Sequence, residues 1–250
     1  MRERAGAAVE AGCLDLIRAA GPACVAVKPQ LARFEALGSP GWRALERVVA
    51  AAQEQGLLVI ADGKRGDVPV SAEAYGDALF GSTPTPWGDV PGLGADAATF
   101  NPLLGADSLD PLIDRAAAAG AGIFVLVRTS NPGAADLLDL PAPDVPLHER
   151  IALTVAGLAD RLAGSGELSG IGAVVGATEP RFLARLRELM PRAVLLLPGV
   201  GAQGGSVEQL GPAFTGPGSA LVTASRSVAG AADPAAAAAA LRDSVWAVAS

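Results

Sequence analysis

Seven apolar runs, each ending in polar, glycine or proline residues, constrain this chain more than any other feature. They cover residues 23–28, 57–62, 95–101, 122–129, 171–177, 193–198 and 219–225. Each is a nearly continuous run of aliphatic residues, not an alternation of apolar and polar ones. A strand with one wetted face alternates; a strand covered on both faces does not. The runs therefore predict parallel strands sheathed by helices. Helical patterns lie between them. In 42–55, Leu45, Val48, Val49 and Ala52 share one face, and in 180–189 Phe182, Leu183 and Leu186 do so. A helix-like stretch spans Arg2–Ala20. The alanine run 235–240 reads as part of a closing helix, with Asp233 as its N-cap and Pro234 in first position.

The ends of these runs predict the architecture. They read Lys28-Pro29-Gln30, Asp62-Gly63-Lys64, Asn101-Pro102, Arg128-Thr129-Ser130, Ala177-Thr178, Pro198-Gly199 and Ser225-Arg226. A (β/α) barrel builds its site from the carboxyl ends of many strands. A doubly wound sheet gathers its polar residues at one switch point instead. The even spread favours a TIM-type barrel, and 250 residues fit one such domain over 1–250.

Composition closes off other classes. Half the residues are apolar and 18% are charged, which supports a large core and argues against disorder. Aromatics make up only 4%, so that core is mainly aliphatic. A net charge of −7 argues against a nucleic-acid partner. No apolar run is long enough for a membrane span, and the N-terminus lacks the apolar segment of a signal peptide. Cys13 and Cys24 have no metal-type spacing and read as reduced thiols of a cytoplasmic protein. The Pro- and Gly-rich stretch 81–94 reads as a surface loop, a tolerated insertion. A second Pro-rich loop, 140–150, holds the only histidine, His148, which reads as solvent-exposed and without a role.

One strand end carries chemistry. In "IADGKRGDVPVSAEAY", residues 60–75, an apolar run passes directly into Asp62, Lys64 and Asp67. Asp62 and Lys64 are two apart on an extended segment, so their side chains project the same way. Asp67 follows Gly66, and Ser71 begins a helical stretch. A short D-x-K-x-x-D match also recurs as a solvated charge cluster at a strand end. Here other strand ends add complementary groups. Lys28 supplies a second ammonium one strand earlier. The Gly-rich loop 198–205, with Gln203, and Arg226 on the next strand form a candidate anion site.

With these stretches in hand, the chain resembles the orotidine 5′-phosphate decarboxylase family, in the bacterial subfamily whose motif reads like "DAKRGD". The matching stretches are 25–41, 59–75, 99–109, 125–137, 172–180, 197–205 and 224–228, and their order matches the family from about residue 5 onward. The resemblance implies a (β/α)8 barrel that dimerises, with two active sites at the subunit interface. It implies conversion of orotidine monophosphate to UMP, the last step of pyrimidine synthesis, with neither metal nor organic cofactor. It further implies a charged tetrad of Lys28, Asp62, Lys64 and Asp67. Lys64 would donate the proton, and Asp67 and Ser71 would reach the partner's site. Ser130 would hold the pyrimidine, and Gln203 and Arg226 the phosphate. Asp62 and Asp67 would together keep Lys64 charged and aimed.

The departures from that pattern are also expectations. The family begins with a further strand bearing a "GIDP"-like segment, whose aspartate contacts the ribose. No such strand precedes the first helix here, so seven strands are expected, with unpaired edges at 23 and 219. Gly63 stands where the family usually has alanine, and the 81–94 loop is longer than expected. Two other readings stay open: a magnesium-dependent sugar-phosphate decarboxylase of the same superfamily, and a shortened homologue with impaired catalysis.

Overall fold

The computed structural model describes residues 1–201 and 204–249. Its main sheet has seven strands: β1 Ala26–Val27, β2 Leu58–Arg65, β3 Ala97–Phe100, β4 Gly122–Arg128, β5 Ser169–Val175, β6 Ala193–Pro198 and β7 Ala220–Thr223. They pair in chain order and all in parallel. Chain-order parallel pairing is what successive same-handed β-α-β crossovers generate. Among the described residues β1 and β7 pair on one side only.

The sheathing helices are α1 Arg2–Ala20, α2 Leu31–Glu35, α3 Ser39–Glu54, α4 Pro69–Leu79, α5 Asp110–Ala119, α6 Ala135–Leu138, α7 Leu147–Leu158, α8 Leu183–Leu189, α9 Arg226–Ala229 and α10 Pro234–Ala249. In α3, Leu45, Val48, Val49 and Ala52 are all buried, as their spacing predicts. The expected cap of α10 is present: Ala236 N donates to Asp233 Oδ1 at 3.0 Å. Among the described residues no helix is long and apolar enough to cross a membrane.

Side-chain alternation along the strands makes two cores. One set of positions, including Val59, Ala61, Ala98, Phe100, Ile123, Val125, Ala173 and Leu195, packs outward in one cluster with the helix residues. The other set, Ile60, Ala97, Phe124, Val174 and Leu196, forms a separate interior cluster joined by Ala26 and Leu221. With both faces covered, a strand has no wetted side, which is why the runs do not alternate.

Three sequence expectations are corrected. The first run is strand only at Ala26–Val27, because Gly21–Ala23 forms a 3-10 turn around Pro22 and an edge strand has one partner to order it. The 81–94 stretch lies at the surface, as expected, but it folds locally as a hairpin, Ser82–Thr83 against Val90–Pro91. Its turn is closed by Thr85, whose Oγ1 donates to Gly88 O at 2.6 Å and accepts from Trp87 N at 3.2 Å. The 140–150 stretch likewise holds a small hairpin, Pro141–Ala142 against Val145–Pro146, and then enters α7.

His148 therefore sits in the first turn of α7 and is 3% exposed, not solvated. Its Nδ1 lies 2.7 Å from Leu138 O, and since a carbonyl only accepts, that nitrogen carries the hydrogen. The ring packs edge-on against Phe182 at 4.9 Å.

Candidate active site

The interior rows lead to the site. Lys28, Asp62 and Thr99 each stand two residues beyond an interior apolar residue: Ala26, Ile60 and Ala97. Period-two alternation thus points all three toward the interior at the carboxyl ends of neighbouring strands. Asp62 is 4% exposed. Its Oδ2 accepts Lys28 Nζ at 2.5 Å, and its Oδ1 accepts Lys64 Nζ at 2.5 Å. Burial opposes ionisation of Asp62. The Lys28 ammonium, by charge and hydrogen bond, and then Lys64 outweigh it and hold the carboxyl below the usual carboxylate range.

Lys64 is reached by an irregular backbone. The β2–β3 register shifts between Ala61 and Arg65, and Lys64 adopts φ 50°, the one positive φ outside glycine among the described residues. That conformation costs on the order of 1 kcal/mol or more for a residue with a Cβ. A bulge at a strand end re-aims a side chain, and here Lys64 turns onto Asp62 and leaves its own side chain 42% exposed. Two bonds hold the turned segment: Lys64 N donates to Thr99 Oγ1 at 2.9 Å, and Asn101 N donates to Arg65 O at 2.7 Å. Thr99 Oγ1 in turn donates to Asp62 Oδ1 at 3.0 Å. Arg65 turns away to pair with Glu35 of α2 and lie over the Tyr75 ring of α4. A Cβ at Gly63 would come 2.7 Å from Leu31 Cδ1 of α2, so alanine there would require that leucine side chain to shift.

Asp67 stands apart from this cluster. Its Oδ1 accepts the next backbone amide, Val68 N, at 2.8 Å. Among the described residues of this one chain it forms no ion pair with Lys64. The expectation of Lys64 between two acids is thus met by Asp62 alone within one chain. Ser71 lies in the first turn of α4, half-buried. Four exposed apolar side chains, Val68, Val70, Leu103 and Leu104, lie on this segment and on the loop after β3.

The remaining expected residues lie at other strand ends. Ser130 follows β4, and its carbonyl accepts Thr178 Oγ1 at 3.1 Å across the loop after β5. Arg226 opens α9, exposed and without an ion-pair partner among the described residues. The Gly-rich loop after β6 lies beside it: Gly201 has φ 74°, and a Cβ there would come 3.3 Å from Ser227 Oγ. Gln203 lies outside the described residues.

Sequence reasoning missed Thr99 and the cluster of the buried Arg128 and His148 with the half-buried Asp139. A threonine inside a strand is an ordinary strand former. Its one available signal was its place two residues beyond Ala97, at the same level as Asp62 on the neighbouring strand.

Together these features define a parallel β/α-barrel protein with a lysine–aspartate–lysine centre at its strand ends. The chain belongs to the orotidine 5′-phosphate decarboxylase / HUMPS family, whose model matches residues 9–241. It is 48% identical over 217 residues to the orotidine 5′-phosphate decarboxylase of Deinococcus radiodurans, covering 86% of this chain and 75% of that protein. It superimposes on the Leishmania donovani OMP decarboxylase structure with a TM-score of 0.82 and 34% identity, covering 97% of this chain and 88% of the other. It also matches Leishmania donovani UMP synthase with a TM-score of 0.84 and 36% identity, spanning 51% of that longer chain.

Proposed function

We propose that this chain decarboxylates orotidine 5′-phosphate to UMP. The observation that carries the reading is the Lys28–Asp62–Lys64 centre: one buried carboxylate between two ammonium groups, with Lys64 the more open of the two. Loss of CO2 from C6 of the pyrimidine leaves the bond's electron pair on carbon, with little delocalisation. A fixed ammonium beside that carbon stabilises the charge as it develops. Lys64 then gives its proton to C6, which completes UMP, and regains a proton from solvent. Asp62 keeps that ammonium charged and aimed, and Lys28 balances the carboxylate from its other side.

In this reading Ser130 contacts the pyrimidine, and Arg226 and Gln203 hold the phosphate. The phosphate lies far from the reacting carbon, so its binding energy can order the site. Asp67 and Ser71 serve the site of a second copy in a cytoplasmic homodimer. Two observations support this: Asp67 makes no ion pair with Lys64 in its own chain, and Val68, Val70, Leu103 and Leu104 present apolar surface nearby.

The test is turnover of orotidine monophosphate by the purified chain in the presence of EDTA, with CO2 and UMP formed in equal amounts. Lys64→Ala is expected to lower kcat at least about 1,000-fold, since it removes both an electrostatic stabiliser and a proton donor. UMP affinity should stay within about tenfold, because the phosphate contacts are untouched. Undiminished turnover in that variant, or turnover only with added magnesium, overturns the reading.

A further inference from the structure

We infer that Thr99 is a positioning residue for the decarboxylation centre, its one hydroxyl fixing both the Asp62 carboxylate and the turned backbone of Lys64. The inference rests on the function proposed above. Thr99 is 1% exposed, at the level of Asp62 and next to the apolar interior cluster of Ala97, Ile60, Phe124, Val174 and Leu196. A polar group so buried is costly unless its bonds are made. A hydroxyl has one hydrogen and two lone pairs. The hydrogen goes to Asp62 Oδ1 at 3.0 Å, and a lone pair takes the Lys64 amide at 2.9 Å.

Those two bonds act on different parts of one geometry. Asp62 Oδ1 is the oxygen that also receives Lys64 Nζ, at 2.5 Å, while Oδ2 receives Lys28. Thr99 thus gives Oδ1 a second donor and resists rotation of the carboxylate about its last bond. On the other side, the Lys64 amide belongs to the only non-glycine residue at positive φ among the described residues. A strained conformation persists only when its surroundings over-determine it, and this amide bond is one of the contacts that do so. The β-branched side chain is stiff at χ1, so the strand itself aims the hydroxyl. Thr99 does not touch the reacting atoms in this scheme; it acts through Asp62 and Lys64.

The test compares Thr99→Val, which keeps shape and strand propensity but removes the hydroxyl, with Thr99→Ser, which keeps the hydroxyl. Thr99→Val is expected to lower kcat by about 10- to 100-fold with KM within about threefold, as for other misplacements of a reacting group. Thr99→Ser should stay within about threefold of the original enzyme on both constants. A second readout needs no turnover: hydrogen exchange of the Lys64 amide, accelerated in Thr99→Val and restored in Thr99→Ser. Unchanged kcat in Thr99→Val, an equal loss in Thr99→Ser, or a Lys64 amide protected alike in all three proteins overturns the inference. If the unaltered chain fails to decarboxylate orotidine monophosphate, the proposed function falls, and amide exchange still decides whether Thr99 holds the Lys64 backbone.

Discussion

Arg128 and Asp139 face each other as a fork on a fork, with Nε to Oδ1 at 2.8 Å and Nη2 to Oδ2 at 3.1 Å. The pair closes the loop that leaves β4 and carries Ser130. Arg128 Nη1 also donates to Thr129 O at 2.7 Å, and His148 Nδ1 donates to Leu138 O, so both ends of the loop are tied. Phe182 packs under the Arg128 guanidinium at 5.1 Å and completes the anchor. Planar bidentate pairing fixes geometry as well as charge.

Asp139→Asn should therefore loosen the Ser130 loop. It removes the anion and leaves a guanidinium only 5% exposed without its partner. The expected loss is about 1–3 kcal/mol of stability, below the full cost of breaking a buried pair because Asp139 is partly solvated. KM for orotidine monophosphate should rise by about threefold or more, with kcat changed less, since Ser130 is assigned to binding. Urea unfolding and steady-state kinetics read the two effects separately. A variant with unaltered KM would detach the anchor from substrate binding.

A shared active site predicts complementation. In a hybrid of a Lys64→Ala protomer and an Asp67→Ala protomer, one site receives an intact Lys64 and, from the other protomer, an intact Asp67. With random exchange, about half the dimers are hybrid and each has one of two sites restored, so about a quarter of the original activity should return. Mixing the variants under mild dissociating conditions and assaying after recombination checks this. Activity that stays at the sum of the two parents would place Asp67 within its own chain's site.

How much of this was legible in the sequence depends on what each residue answers to. The seven strands were readable because a strand covered on both faces must be apolar throughout, as Val59, Ile60 and Ala61 are. Asp62 and Lys64 were readable because the other strand ends, Lys28 and Arg226 among them, carry complementary groups; the short charge motif alone also recurs as a solvated cluster. The positive φ of Lys64 was not, because it is imposed by a register shift against β3 and by bonds from distant residues. Thr99 was hidden by being a good strand former. His148 was misplaced because the adjoining proline-rich stretch resembles a solvated loop, whereas a two-residue hairpin at Pro141–Ala142 folds it back and delivers His148 to a buried helix turn. Pattern reports what an element buries along its own length; these departures are set by contacts far away in the chain.

Acid should expose the Asp62 linkage. The folded-state carboxyl is depressed, so its contribution to stability is present above the unfolded value of about 3.9 and is lost as pH falls through the lower folded value. In that window the unfolded chain binds the proton first, so stability rises with pH. Urea midpoints of the original protein should fall more steeply between about pH 5 and 3 than those of Asp62→Asn, which has no such proton to bind. Parallel slopes for the two proteins would show that Asp62 is not depressed in the folded chain.

Arg187 supplies the contrast between stability and catalysis. Its buried guanidinium makes its closest hydrogen bonds to Ala213 O at 2.9 Å, Met190 O at 3.0 Å, Ala193 O at 2.7 Å and Ser219 O at 2.8 Å, and forms no ion pair among the described residues. Burial pushes its pKa down, and the four carbonyls stand in for a counter-ion. Ala193 and Ser219 lie at the amino ends of β6 and β7, at the end of the barrel away from Pro198 and Arg226. Residues at that end bear on stability and those at the other on chemistry. Arg187→Met removes these buried hydrogen bonds, although Met190 O and Ser219 O keep the backbone donors Ala193 N and Leu195 N, and should cost about 1–3 kcal/mol. Catalysis per folded molecule should stay within about twofold, because the strand ends that carry the site are untouched. Chemical denaturation together with kcat measured well below the unfolding transition decides it: a stable variant would deny Arg187 its structural role, and a folded variant with collapsed kcat would show that the two ends of the barrel are coupled.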